Sequence, residues 1–266
     1  MLLSRGVRIG LRVATALTLA FIYLPIALIV LYSFNSARVA SWPIAGLTLD
    51  WYGRALATPG VRTALFTSLE AAIGATVVSL ILGSLVAFAV HRRDFFGRGA
   101  LSFVVVLPLA LPGIITGIAL NTALRTVGVD FGLWTIVVGH ATFCVVVVFN
   151  NVIARLRRVA RTAEEASMDL GADTFTTFRR ITFPAIRTAL LAGGLLAFAL
   201  SFDEIIVTNF TAGASTQTLP LWIFTNYQRP NNLPLVNVAA VFVLVLSIVP
   251  VWIASRLTSG VESTGR

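Results

Sequence analysis

The sequence predicts an all-α, polytopic membrane protein, with six transmembrane helices and one polar elbow on the inner side of the bilayer. Three observations predict it. Of the 266 residues, 57% are apolar and only 12% charged, about half the charged share of an ordinary soluble domain, and mean hydropathy is +0.90. Six runs, about 12–34, 63–90, 100–124, 134–154, 184–207 and 235–256, each supply the roughly 20 apolar residues a membrane-crossing helix needs. The arginines, finally, crowd alternate connections between these runs. No connection is long enough to form a soluble domain, so residues 1–266 are expected to be a single transmembrane domain.

The elements follow in order. The first run comes after Arg5, Arg8 and Arg12 and imitates a secretory signal, but its apolar core exceeds the roughly 7–15 residues of a signal h-region. It is expected to be retained as a span. The connection 35–62 carries Trp42, Trp51 and Tyr52, and the connection 208–234 carries Trp222 and Tyr227. Such amphipathic rings suit the membrane–water interface. Glu70 lies seven residues inside the second run, where a salt bridge to an arginine of this chain or of a partner is favoured over substrate contact. In the third run Pro108, Pro112, Gly113 and Gly117 predict a kink, because proline removes a helix hydrogen bond. That kink serves either a pathway or mere packing, and Gly193 and Gly194 in the fifth run carry the same two readings. His140 and Cys144 stand four apart in the fourth run. Two ligands are too few for a metal site, so no metal is expected, and a histidine between helices ordinarily bonds a neighbour.

Asp203 and Glu204 fall near the outer end of the fifth run, with Asn209 beyond them. An ionised side chain at mid-bilayer costs about 2.5–3.5 kcal/mol, so the pair is expected at a water-lined path, beside an arginine, or at the outer rim. On a helix, adjacent residues point about 100° apart, which would give the two acids different tasks. A negatively lined vestibule would concentrate a polycation. The alternative is that the pair anchors the helix end or faces a partner subunit.

Charge sets the orientation. All twenty basic residues are arginine, and net charge is +9. Fifteen lie at the two termini, in the second-to-third connection (including Arg93) and around the fourth-to-fifth connection, with Arg266 at the C-terminus; five lie on the other side. The positive-inside rule puts both termini and the elbow in the cytoplasm. Without lysine there is no Walker-A lysine and no Schiff base, so this chain cannot hold nucleotide through a P-loop. The arginines are spread between apolar runs rather than gathered on one domain, so nucleic acid is not an expected partner, whereas membrane lipid is. Cys144 is the only cysteine, which rules out a disulfide framework.

The connection 155–183 is the polar anomaly. "EEASMDLGADTFTTFRRITFP", Glu164 to Pro184, holds four acidic residues and two arginines between two apolar runs. Thr162 and Glu165 have the spacing of a capping box, which predicts a short helix to about Leu170. Gly171 can end it through a left-handed residue. Asp173 can cap a second short helix through Arg180, with Phe175 and Phe178 on one face. Phe183 before Pro184 is expected to be extended, with Pro184 opening the fifth span. The two phenylalanines either bury against this chain's own helices or fill a groove in a partner.

Here the residues carry a resemblance. Glu165-Ala166-Ser167, Gly171, Ile181 and Pro184 reproduce the spacing E-A-A-x3-G-x9-I-x-L-P, with Ser167 for alanine and Phe183 for leucine. This resembles the membrane subunits of binding-protein-dependent ABC importers, and implies a type I importer permease fold in the bacterial inner membrane. The stretches Tyr23 to Ala37, Leu47 to Leu56, Gly139 to Val148 and Ser201 to Phe224 look like the spermidine/putrescine-type permeases of that superfamily. The resemblance implies that Glu165, Ala166, Ser167, Gly171, Phe175, Phe178, Ile181 and Pro184 form a coupling segment docked on a cytoplasmic ATPase. It further implies two such ATPases, which bind ATP and Mg in place of any cofactor on this non-catalytic chain, a second homologous permease chain, and an extracytoplasmic solute-binding protein. Asp203, Glu204 and Asn209 become candidates for a polyamine path. Another small solute of the same superfamily is one alternative. A secondary transporter driven by an ion gradient is the other, supported by the intramembrane acids. An intramembrane enzyme is disfavoured, since no HExxH occurs.

Overall fold

The computed structural model describes residues 4–39, 42–92, 94–229 and 233–262. Arg93 and Arg266, both used in the orientation argument, lie outside the described residues. Among the described residues the chain is helical, with α1 Arg5–Ser33, α2 Asp50–Ala57, α3 Pro59–Arg92, α4 Arg98–Ala110, α5 Gly113–Thr126 and α6 Leu133–Leu156. There follow α7 Arg161–Asp169, α8 Thr174–Thr177, a π-helical turn Phe178–Thr182, α9 Phe183–Phe202, α10 Ile206–Thr211, α11 Leu219–Asn226 and α12 Leu233–Glu262. Five stretches are long and apolar enough to cross a membrane, and six if α4 and α5 count as one broken span. The six expected runs are thus recovered, most with longer helices than hydropathy alone suggests. Ser4 caps α1 by accepting from the Val7 amide, so Arg5, Arg8 and Arg12 are helical rather than a leading coil.

The chain divides into two compact units, Met1–Arg62 with Ile223–Phe242 and Thr63–Trp222 with Val243–Arg266. In the first, the Trp51 indole donates to the Asn35 carbonyl at 2.9 Å, and Ser33 and Tyr52 share a hydrogen bond of 2.7 Å. Trp51 is therefore buried, and Trp222 of the other unit is buried as well. Neither occupies the exposed position expected of an interfacial ring, whereas Trp42 and Tyr227 are exposed.

The second unit is built around α6, whose apolar window is 67% buried, against 0% for α1. Small residues bring its neighbours close. A Cβ at Gly83 would lie 2.9 Å from the Val145 carbonyl oxygen, and one at Gly193 would lie 3.4 Å from the Val148 Cα. Backbones that meet at this distance trade side-chain volume for dispersion contact, the usual adhesive between membrane helices. Cys144 donates to the Ala197 carbonyl across the same seam. Gly193 is buried there against Asn151 and Val148, and Gly194 is buried against Leu80 of α3, so both serve close packing.

Two spans are interrupted. Between α4 and α5 the axis turns by 109°, a break rather than the expected kink. Leu111 is extended, with φ −84° and ψ 140°, as a residue before proline prefers, and Pro112 leads into α5. The fifth span stops at Phe202, short of the expected 207. Asp203 and Glu204 therefore sit in a turn between α9 and α10, and the 100° helical offset does not apply to them.

Candidate functional site

The polar elbow departs from its expected caps. α7 starts at Arg161, and its N-cap Ala160 makes no side-chain bond. The expected capping box fails because Thr162 is already inside the helix, and Glu165 instead faces Arg161 at 3.9 Å as an exposed i,i+4 pair. The end of α7 follows expectation. Gly171 has φ +86°, its amide donates to Met168, and the Ala172 amide donates to Ser167, the two bonds of a Schellman motif. Asp173 caps α8 by accepting from Thr176 at 2.7 Å. That bond holds its carboxyl below the ordinary value of 3.8, because hydrogen bonding favours the charged form.

Beyond α8 the helix does not stop at Arg180. It widens into the π turn and continues into α9. Phe183 is right-handed helical, with φ −61° and ψ −48°, not extended as its place before Pro184 suggested. Proline lacks an amide and crowds the carbonyl four residues earlier. The wider turn relieves that crowding, and the Phe183 amide reaches back five residues to Phe178.

Three side chains absent from the sequence-derived set tie the elbow to the spans. Arg92, at the end of α3, pairs with Glu164 of α7. Arg92 also donates to Thr182 at 3.0 Å, and Thr182 donates to Glu164 at 2.6 Å. Thr182 is buried, the Glu164 side chain 12% exposed and the Arg92 side chain 32% exposed, so the carboxylate is shielded while the guanidinium is partly open to water. Arg155 of α6 donates to the Ala185 carbonyl at 2.8 Å, and Ser167 and Thr177 bond at 3.1 Å across the bend. Phe178 packs its ring 5.8 Å from Phe88 and 6.1 Å from Phe183. Phe175, by contrast, is 69% exposed, together with Met168 and Leu170. Of the two phenylalanines, one is held largely by its own chain and one presents an open face. Ala166 and Pro184 are exposed and Ile181 half-buried. No signal in spacing connects positions 92 and 164; only their opposite charges could have suggested a pairing.

The second cluster lies at the other end of α9. Asp203 is exposed, Glu204 half-buried and Asn209 exposed. The Glu204 carboxylate accepts from the Val207 amide at 2.9 Å, and its backbone carbonyl accepts from the Thr208 hydroxyl at 2.8 Å. α10 packs on α5: a Cβ at Gly113 would be 3.7 Å from Ile206, and one at Gly117 would be 2.5 Å from the Phe210 ring. Fully buried His140 bonds Ser201 at 2.7 Å through Nδ1 and Thr208 at 2.8 Å through Nε2. Both ring nitrogens are thus engaged, and Cys144 is engaged at Ala197, so the i,i+4 pair does not form half of a metal site. Glu70 is exposed on α3 and makes no ion pair among the described residues.

The family model for binding-protein-dependent transport system inner membrane components matches residues 79–263. The chain is 36% identical over 232 residues to the putrescine transport system permease protein PotI of Escherichia coli (strain K12), covering 84% of this chain and 82% of that protein. It is 34% identical over 247 residues to the spermidine/putrescine transport system permease protein PotC of the same strain, covering 92% of each. In fold it resembles a chain of the bacterial alginate ABC transporter solved in complex with an alginate pentasaccharide-bound periplasmic protein. That match has a TM-score of 0.71 at 14% identity and covers 96% of this chain and 94% of that one. A chain of the inward-facing MetNI methionine ABC transporter matches with a TM-score of 0.60 at 17% identity, covering 81% and 99%.

Proposed function

The chain belongs to the family of binding-protein-dependent transport system inner membrane components, and from that premise we propose that its cargo is a polyamine of the putrescine or spermidine kind. The chain is a permease subunit of an ABC importer, and its termini and elbow face the cytoplasm. The observation that carries the polyamine reading is the acidic turn. Two adjacent carboxylates, Asp203 and Glu204, interrupt a membrane span, one exposed and one half-buried. Ionised groups in that place need water or a counter-cation to offset their desolvation, and a chain of methylenes bearing ammonium groups offers both charge and apolar length. Similarity to putrescine and spermidine/putrescine permeases over most of the chain supports the same reading.

The fuel is used elsewhere. The chain has no lysine, hence no P-loop, and a separate cytoplasmic ATPase holds ATP and Mg. The exposed apolar side chains of Met168, Leu170 and Phe175 form the docking face for that ATPase, and the Arg92–Glu164–Thr182 triad passes its motion to the spans. A second permease chain completes the path, and an extracytoplasmic binding protein delivers the cation to it.

The test is uptake of labelled putrescine and spermidine by proteoliposomes holding the complete complex. ATP-dependent uptake is expected, with Asp203→Asn and Glu204→Gln each lowering its efficiency about tenfold, the equivalent of one charge-assisted contact. Transport of some other small solute with no polyamine uptake overturns the cargo. Full-rate uptake by this chain without an ATPase overturns the coupling.

A further inference from the structure

We propose that His140 is a positioning residue for the acidic turn: by holding Ser201 on one side of the break and Thr208 on the other, it fixes where the carboxylates of Asp203 and Glu204 meet the solute. This rests on the reading that the turn lines the path.

α10 has six residues, too few to be stable by itself. Its fixed place must come from neighbouring helices. At its C-terminal end, Asn121 of α5 donates to the Phe210 carbonyl at 2.5 Å and Thr135 of α6 donates to the Thr211 carbonyl at 2.6 Å. Those are carbonyls that a helix end leaves without an internal partner. At its N-terminal end the tether is His140, and of these three side chains His140 alone also reaches α9.

The residues His140 grips are those that define Glu204. The Glu204 amide donates to the Ser201 carbonyl, and the Glu204 carbonyl accepts the Thr208 hydroxyl proton. That donation assigns the imidazole tautomer. With its own proton spent on Glu204, Thr208 accepts from Nε2–H, and Nδ1 accepts from the Ser201 hydroxyl. A neutral ring with one donor and one acceptor on opposite edges thus spans the break. His140 and Thr208 are both 0% exposed and Ser201 is 2% exposed, so none of this requires His140 to touch the solute. Its influence runs through Thr208 and Ser201 to the acidic turn.

A histidine that merely joins helices would change how much complex folds and how fast it turns over, whereas a positioning histidine changes substrate affinity. The experiment is ATP-driven putrescine uptake by the complete complex in proteoliposomes. It compares His140→Leu, His140→Gln, Thr208→Val and the His140→Leu/Thr208→Val double with Asp203→Asn and Glu204→Gln. His140→Leu and Thr208→Val are expected to raise KM about 3- to 20-fold, the range that single hydrogen bonds between membrane helices allow, with Vmax near the parent's. His140→Gln, which keeps a donor toward Thr208, is expected to recover most of the affinity. The double variant is expected to raise KM by less than the product of the two singles, since the His140–Thr208 bond is lost in both. Thr208→Val preserves shape and so reads the loss of the bonds to His140 and to the Glu204 carbonyl even where His140→Leu fails to assemble. Parental KM in Thr208→Val, or multiplying KM effects in the double, overturns the proposal while leaving the path intact if Asp203→Asn and Glu204→Gln still impair uptake. Normal uptake in both acid variants removes the path and the positioning role together.

Discussion

Glu164→Ala is the most informative single change to the elbow. It deletes the acceptor of two bonds, from Arg92 and from Thr182, and leaves the Arg92 guanidinium with Thr182 and the Phe88 ring as its partners among the described residues. Removing one partner of a fully buried ion pair costs about 3–5 kcal/mol, and an exposed pair is worth about 0–1 kcal/mol. With Arg92 32% and Glu164 12% exposed, the triad falls between, at about 2 kcal/mol. That corresponds to roughly a thirtyfold shift between tied and released elbow. Glu164→Gln keeps an oxygen for Thr182 and loses only the charge, so it should cost about half as much. The assay is ATP hydrolysis and solute uptake measured side by side on the complete complex in proteoliposomes. Uptake per ATP should fall in the order parent, Glu164→Gln, Glu164→Ala, and Arg92→Leu should match the last. Parental coupling in Glu164→Ala, with an unchanged melting temperature, would refute the assignment of the triad as the link between elbow and spans.

Three further outcomes follow from local geometry. Gly117→Ala places a methyl 2.5 Å from the Phe210 ring, whereas Gly113→Ala meets Ile206 at an ordinary 3.7 Å. The first should lower stability in detergent by about 1–3 kcal/mol, as overpacking does, and the second should leave the melting temperature nearly unchanged; equal effects would contradict the α5–α10 packing. Gly171→Ala has open space around its new methyl but must hold φ +86°, so a loss of about 1–2 kcal/mol from strain alone should appear as earlier thermal unfolding. Asp173 has a lowered folded pKa because its carboxylate accepts from Thr176, so its cap is fully present above 3.8 and is lost as pH falls through the lowered value. The Thr176 amide proton resonance should titrate with a midpoint below 3.8 and should not follow this carboxyl in Asp173→Asn. A midpoint above 3.8 would contradict the cap.

The spans were legible because hydropathy over twenty residues is a bulk property that tertiary contacts seldom reverse. The Schellman turn at Gly171 and the cap at Asp173 were legible because one residue type at one position determines each. What escaped the sequence depends on contacts between distant positions. The fifth span looks unbroken through "SFDEIIVTNF", yet α10 is a separate helix bonded by His140, Thr135 and Asn121 from two other helices. Thr162 and Glu165 have the spacing of a capping box, yet α7 begins two residues earlier, with Ala160 as its N-cap, and turns that spacing to no use. Phe183 was placed by a local rule about prolines that the π turn overrides. Arg92 and Glu164 lie 72 positions apart in the chain, and no local pattern joins them.

The π turn has one more consequence. Since it splices the elbow onto α9 without a break, the stretch from Thr174 to Phe202 is one continuous helical run. Twenty residues of α9 span about 30 Å, so a ten-degree swing at the inner end sweeps the tip bearing Asp203 sideways by about 5 Å, on the order of one helical pitch.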